Sequence, residues 1–373
     1  KASVLSFTIE DIRPHDIGEG GVRERPQVVE LVGRAETGPV GGRGGKDQHT
    51  VTVWDAATLK RVWAGGPVPA GTTGGSLTAD GRLLAATRDR ATGLYDPATG
   101  RSILMDPPLP GGRAVAFSRG EERVAGQVRR KLAVTDGRMV TVLDWAQGVA
   151  VSAASFGPLK NPPAVAGDLP AGVAFAPDGR RLVFIPNHAV DPAFFAGTVE
   201  KAGAPTHWIA QVWGGGSGAG MAVLPHGTAP VGAVAWSPDG KTIATGCRKG
   251  DVVTWDAATF KELRRTRLGG RGGEGVVHAL AFAPDGKTLA AAVAFDEGKN
   301  AGRVVVLDPA TGGRLGNDLQ GFTQTPVAVA FAPDGKTLAV GLADFLPQVQ
   351  PPPGGKDRPP GGVTLYTTDP AGP

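Results

Sequence analysis

The stretch Val329-Ala-Phe-Ala-Pro-Asp-Gly-Lys-Thr-Leu, at residues 329–338, decides the fold because it recurs along the chain. Its other copies, three nearly identical and two worn, begin at Val173, Val234, Leu280, Ser76 and Val115. Each copy joins two short apolar runs through Pro-Asp-Gly or a relative of it, and apolar runs bounded in this way predict pairs of strands. In such a turn proline presets φ, aspartate bonds the local backbone and glycine accepts a positive φ.

A third predicted strand completes each unit and ends in an aromatic residue or leucine. These seven ends are Trp54, Tyr95, Leu143, Trp213, Trp255, Leu307 and Tyr366. One unit of three or four strands cannot bury both of its faces, whereas seven units stacked around an axis can, and the stacking also protects the sheet edges. The sequence therefore predicts an all-β fold built from seven repeated sheets.

These motifs resemble the WD40-repeat β-propeller family, especially its bacterial type with nearly identical Phe-Ala-Pro-Asp-Gly-Lys-Thr-Leu blades. The resemblance covers residues 27–369 and implies a seven-bladed β-propeller that occupies residues 1–373 as a single domain. The implied blades are residues 3–72, 73–111, 112–166, 167–229, 230–273, 274–324 and 325–373.

The chain departs from the family pattern at two positions. Only Pro225-His226-Gly227 approaches the Gly-His dipeptide that usually precedes the first strand, and Lys249 stands where aspartate is common. We therefore expect packing to replace the His–Asp hydrogen-bond network that rigidifies many blades of the family.

The closure of the ring has two solutions in the sequence. Residues 3–9 alternate apolar Leu5, Phe7 and Ile9 with polar Ser6 and Thr8, which predicts a strand. We favour this strand as the innermost one of the first blade, because that blade otherwise lacks one. The alternative is that it supplies the outer strand of the seventh blade.

The link between second and third strands varies most among the copies. It is minimal at residues 248–251 and long at residues 35–50, 186–206 and 343–361. In the family these links leave on one side, here called the top face, and insertions in a repeat array often mark the binding face. Candidate binding residues there are Arg88, Arg90, Arg129, Arg130, Lys131, Phe194, Phe195, Arg248, Lys249, Phe295 and Phe345.

Two interpretations of these candidates stay open. The basic residues are either solvated surface charge or the contact for an acidic protein or peptide. The phenylalanines either tuck back onto the propeller or act as interface anchors, a role in which exposed aromatic residues are common.

Other classes of function find little support in the sequence. A net charge of +4, from 39 basic and 35 acidic residues, is too small to indicate nucleic acid, and Arg-Gly-Gly pieces occur only singly. The six histidines lack a metal-ligand spacing, and the one cysteine, Cys247, is expected to be a buried core residue. No metal, cofactor or catalytic residue is predicted, and no apolar run is long enough for a transmembrane helix.

The resemblance thus implies a non-catalytic scaffold or sensor module that binds a protein or peptide, within a larger bacterial polypeptide. The competing hypothesis is a propeller enzyme, a hydrolase or oxidoreductase, with its site at the mouth of the central channel. A third is a ring that associates with itself through an open edge of the seventh blade.

Overall fold

A computed structural model of the chain describes part of its sequence, in segments. These are residues 28–33, 50–55, 61–64, 72–78, 83–88, 91–96, 99, 101–103, 109–119, 122–124, 127–146, 149–156, 172–186, 208–214, 219–269, 275–295, 302–322, 325–331, 335, 337–343 and 363–367. Within these segments no helix is long and apolar enough to cross a membrane.

The described residues form seven antiparallel sheets in chain order, here called sheets one to seven. Sheet one contains β1 (Val28–Gly33), β2 (Thr50–Asp55) and β3 (Arg61–Ala64). Sheet two contains β4 (Thr72–Leu77), β5 (Leu84–Arg88), β6 (Ala91–Tyr95) and β7 (Ser102–Ile103). Sheet three contains β8 (Ala114–Phe117), β9 (Glu122–Val124), β10 (Gln127–Thr135), β11 (Val140–Ala146) and β12 (Val149–Phe156). Sheet four contains β13 (Gly172–Phe175), β14 (Arg181–Ile185), β15 (Trp208–Gly214) and β16 (Gly220–Gly227). Sheet five contains β17 (Val231–Trp236), β18 (Thr242–Cys247), β19 (Asp251–Asp256) and β20 (Glu262–Arg267). Sheet six contains β21 (Gly275–Phe282), β22 (Leu289–Phe295) and β23 (Gly302–Leu307). Sheet seven contains β24 (Thr325–Phe331), β25 (Thr337–Ala343) and β26 (Val363–Thr367). The all-β prediction is therefore confirmed.

Successive sheets contact each other through their first strands. These contacts join β4 to β8, β8 to β13, β13 to β17, β17 to β21 and β21 to β24. In sheet one, Trp54 lies on β2, so that β1 and β2 correspond to the second and third strands of a unit. The strand predicted at residues 3–9 lies outside the described residues.

The Pro-Asp-Gly turns have the geometry that the sequence predicts. Gly179, Gly240 and Gly286 adopt φ values of 67°, 70° and 71°. In the turn of sheet five, the Gly240 N–H donates to the carbonyl of Ser237 at 2.9 Å, and the Lys241 N–H donates to Asp239 Oδ1 at 3.0 Å. Each turn thus depends on its glycine for conformation and on its aspartate for a local hydrogen bond.

The same turns also touch one another across the sheets. A Cβ placed on Gly240 would lie 3.6 Å from Cδ of Pro177, in the turn of sheet four. Gly286 stands in the same relation to Pro238 at 3.6 Å, and Gly335 to Pro284 at 3.5 Å. The turns of sheets four to seven therefore lie side by side. Their links between second and third strands leave from the opposite ends of the strands.

Sheets four and five share one apolar core. Buried residues of both sheets, among them Ile185, Ile243 and Trp255, form a single cluster. Arg181 crosses this junction: its guanidinium donates to the carbonyl of Ala257 at 2.5 Å and lies over the ring of Trp236, 5.1 Å from the centroid. A cation held over an aromatic face adds electrostatic attraction to the apolar packing.

Candidate functional site

The turn between β18 and β19 presents Arg248 and Lys249 on a fixed backbone. The Arg248 N–H donates to the carbonyl of Pro230, before β17, at 2.9 Å. Gly250 adopts a φ of 79°, and its carbonyl accepts the N–H of Leu268, after β20, at 2.7 Å. These bonds tie the turn to residues next to the first and the outer strand of its sheet. The exposed Arg248 side chain therefore extends from a fixed backbone.

The charge of Arg248 acts on His278, which lies in the neighbouring sheet. The register of β21 against β22 shifts between Val277 and Ala279, which leaves His278 as the extra residue of a bulge. Burial, and then the charge of Arg248, lower the pKa of His278 to about 4. The imidazole is therefore neutral near pH 7, and the positive charge at this junction belongs to Arg248.

Phe295, the last residue of β22, has its ring covered on one face by the guanidinium of Arg303. Arg303 lies over the Phe295 ring at 4.7 Å from its centroid and donates to the carbonyl of Leu268 at 2.6 Å. Asp318 pairs with the same guanidinium at 3.2 Å. The half-buried phenylalanine thus packs against the core of sheets five and six, with one face covered by Arg303.

The outer part of sheet five carries a chain of ion pairs. Asp251 accepts from Nε of Arg267 at 2.9 Å and lies 3.8 Å from Arg265. Arg265 also pairs with Glu262 at 2.7 Å. One carboxylate is thus shared by two guanidinium groups, and Arg264, which forms no ion pair among the described residues, leaves β20 with an excess of positive charge.

A buried polar network joins sheet four to sheet five. Thr245 Oγ1 lies 2.8 Å from His226 Nε2 and accepts a hydrogen bond from Trp255 Nε1, also at 2.8 Å. Burial, and then the charge of Arg265, lower the pKa of His226 to about 4. Within the described residues, His226 Nδ1 is buried without a hydrogen-bond partner.

This network modifies the expectation of packing alone. Lys249 stands at the usual aspartate position, yet the histidine, threonine and tryptophan still contact one another. Pro225-His226-Gly227 was the one sequence signal that could have indicated it. Thr245 and Trp255, the partners of His226, lie in the next sheet. Patterns of alternating residues within a strand cannot indicate a contact between residues so far apart in the chain.

Arg129, Arg130 and Lys131 are not in a link, and the sequence prediction of their place was wrong. They lie within β10, where Arg129 pairs with Ala146 and with Glu122. Thr135, at the other end of β10, lies opposite Ala114, which begins the first strand of the sheet. The three basic residues therefore sit at the end of sheet three away from the link to β11.

The remaining candidates divide into described and undescribed positions. Arg88 ends β5 and pairs with Ala91 across the short link to β6. Arg90, Phe194, Phe195 and Phe345 lie outside the described residues. At this end the charge of Arg248 acts on His278, while a role in binding for Arg88, Arg248, Lys249 and Phe295 stays a prediction.

Cysteine thiols and side chains able to bind metals are further kinds of reactive group among the described residues. Cys247 is buried, as predicted, and burial raises the pKa of its thiol. Among the described positions, no three His, Cys, Asp or Glu side chains are grouped so that they could hold a metal ion.

Comparison with known proteins identifies one repeat. The family model of the WD domain, G-beta repeat, matches residues 221–256. This segment begins in β16, the outer strand of sheet four, and continues through β17, β18 and β19. It contains His226, Thr245 and Trp255, so the polar network lies entirely inside the detected WD40 repeat. No curated protein matches the chain.

Proposed function

We propose that this chain is a seven-bladed β-propeller in a single domain, with the blades bounded as in the sequence analysis. In this proposal it is a non-catalytic scaffold or sensor module of a larger bacterial polypeptide, and it binds a protein or peptide rather than nucleic acid. Support comes from the order of the seven described sheets, from the contacts between their first strands and from the WD40 repeat at residues 221–256. WD40 domains generally act as protein-interaction scaffolds.

The observation that carries the proposed binding site is the rigid turn at Arg248 and Lys249. Its backbone is hydrogen-bonded to residues next to β17 and β20, the two edge strands of sheet five. Arg248 is exposed, and its charge acts on His278, which is neutral near pH 7. A turn whose backbone is already ordered loses little conformational entropy on binding. We therefore expect an acidic partner to contact this turn, together with Arg88 and the long links of blades one, four and seven.

The test is a selection from a random peptide display library on the immobilised full chain. We expect the enriched peptides to be rich in Asp and Glu. The variant with Arg248→Glu and Lys249→Glu should weaken their binding at least about tenfold, since it replaces attraction by repulsion at a fixed position. The matched control reverses Arg129 and Arg130, which lie at the other end of their sheet, and should bind the peptides as the unchanged chain does. Equal loss in both variants would refute the top-face site.

A further inference from the structure

The outer strand of sheet five is exposed along most of its length. Sheet five ends at β20, and no other described strand pairs with the far edge of β20. The residues Glu262, Leu263, Arg264 and Arg265 are exposed in succession, and Leu263 is 53% exposed. An edge of this kind presents backbone groups that an extended chain can pair with.

The direction of these backbone groups follows from the pairing with β19. The Leu268 N–H donates to the Gly250 carbonyl, and antiparallel strands alternate between bonded and non-bonded pairs. The pairs Thr266–Val252 and Arg264–Thr254 follow Leu268–Gly250 in steps of two residues, so they are hydrogen-bonded pairs as well. The N–H and the carbonyl of Arg265 therefore point away from β19, toward the free edge.

The charge of this edge is positive. Lys261, Arg264, Arg265 and Arg267 stand against two carboxylates, those of Glu262 and Asp251, which pair with Arg265 and Arg267. Arg264 packs its aliphatic stem near Gly312 of sheet six, and among the described residues no carboxylate pairs with it. Its charge is therefore available to a partner.

We propose that the free edge of β20 binds an acidic, extended segment of another protein as an additional strand. Backbone bonds to Arg265 would supply the pairing, Arg264 would face an acidic side chain, and Leu263 would offer an apolar contact. This site lies on the outer edge of sheet five and is separate from the proposed top-face site.

Charge and composition favour this occupant over two others. A second copy of β20 in antiparallel pairing would set arginines near arginines, and like charges opposite each other destabilise a strand pair. Single-stranded nucleic acid is bound by basic grooves together with aromatic stacking platforms. The exposed large apolar residues of the described chain are Met139, Met221, Leu263 and Leu315, none of which is aromatic.

The experiment uses the full chain and a fluorescein-labelled peptide of eight residues that alternate Glu and Val, followed by fluorescence anisotropy. We expect saturable binding that Arg264→Glu weakens about fivefold, which corresponds to one cross-strand charge pair. Arg265→Pro should abolish binding, because proline removes the outward N–H while an edge position of this kind tolerates it. Arg265→Ala removes the charge but keeps the N–H, and should retain part of the affinity. Arg129→Glu, which reverses a charge outside both proposed sites, should leave the affinity unchanged, and a loss in Arg248→Glu as large as that in Arg264→Glu would assign the peptide to the top face.

Several outcomes would overturn the proposal. They are an absence of peptide binding, unchanged affinity in Arg264→Glu, and equal binding of a peptide with the same charge whose valines are replaced by proline. The last comparison also decides the matter if Arg265→Pro does not fold. Tighter binding of an oligothymidylate than of the peptide would assign the edge to nucleic acid. Concentration-dependent dimers that Arg264→Glu alters would assign it to self-association.

Discussion

At the scale of single residues, Thr245 connects two buried rings through one hydroxyl group. Thr245→Val keeps the shape of the side chain and its preference for strands but removes the contacts with His226 and Trp255. Because the Trp255 N–H would stay buried without an acceptor, we expect a loss of about 2–3 kcal/mol in the free energy of unfolding. Urea denaturation followed by tryptophan fluorescence measures this loss.

Thr242→Val is the matched control, since Thr242 lies on the same strand and its hydroxyl makes no hydrogen bond within the described residues. It should change the free energy of unfolding by less than about 1 kcal/mol. If the two variants lose equal stability, the network contributes nothing beyond packing.

Two histidines, the buried His226 and the half-buried His278, make stability depend on pH. His226 and His278 have pKa values of about 4 in the folded chain, against an ordinary value of 6.5. The unfolded chain therefore binds more protons between these values, so this stability is present above pH 6.5 and is lost as the pH falls toward 4. Each histidine contributes up to about 1.4 kcal/mol per pH unit.

His278→Gln tests this dependence through urea denaturation at pH 7, 6 and 5. Carboxylates stay largely ionised in both states over this range, so the variant should lose stability less steeply than the unchanged chain. Parallel curves for the two proteins would show that the fold does not lower the pKa of His278.

At the scale of elements, the turn Asp308–Gly312 shows why one glycine cannot be replaced. Gly312 has a φ of 71°, and a Cβ there would clash with Thr266 Oγ1 and lie 2.9 Å from Cγ of Arg264 in sheet five. Phe260 adopts a φ of 58° at the same position of the turn in sheet five, where it packs against the core. The element thus tolerates a side chain only where a neighbouring core receives it.

Gly312→Ala should therefore destabilise the chain by more than conformational strain alone. Gly316→Ala is the control, because Gly316 has a φ of 75° with nothing near its Cβ position and isolates a strain of about 1 kcal/mol. We expect Gly312→Ala to cost at least about 1 kcal/mol more in thermal or urea unfolding. Equal losses would mean that sheets five and six separate easily at this turn.

The error at Arg129, Arg130 and Lys131 also belongs to this scale. In the third unit, Arg119-Gly120-Glu121 stands where other units have Pro-Asp-Gly, so the turn that marks the start of the second strand is worn. The structure extends the region into β9 and the first half of β10, which pair as a hairpin. Without its turn residues, the pattern could not show where the second strand begins.

At the scale of the whole molecule, the sequence predicts what repeats and misses what does not. The ends Trp54, Tyr95, Leu143, Trp213 and Trp255, with Leu307 and Tyr366, each lie on the third strand of a described unit. Strands and tight turns depend on residues that are neighbours in the chain, so their patterns are legible. The contact of His226 with Thr245 and the effect of the Arg248 charge on His278 cross from one sheet to the next, and only the fold supplies them.

The contacts of Gly240 with Pro177, Gly286 with Pro238 and Gly335 with Pro284 have a consequence for the history of this chain. Because each junction repeats the one before it, a duplicated stretch of DNA that encodes one complete unit would yield a protein segment whose borders already fit on both flanks. Gain or loss of whole modules therefore requires no new junction to be invented.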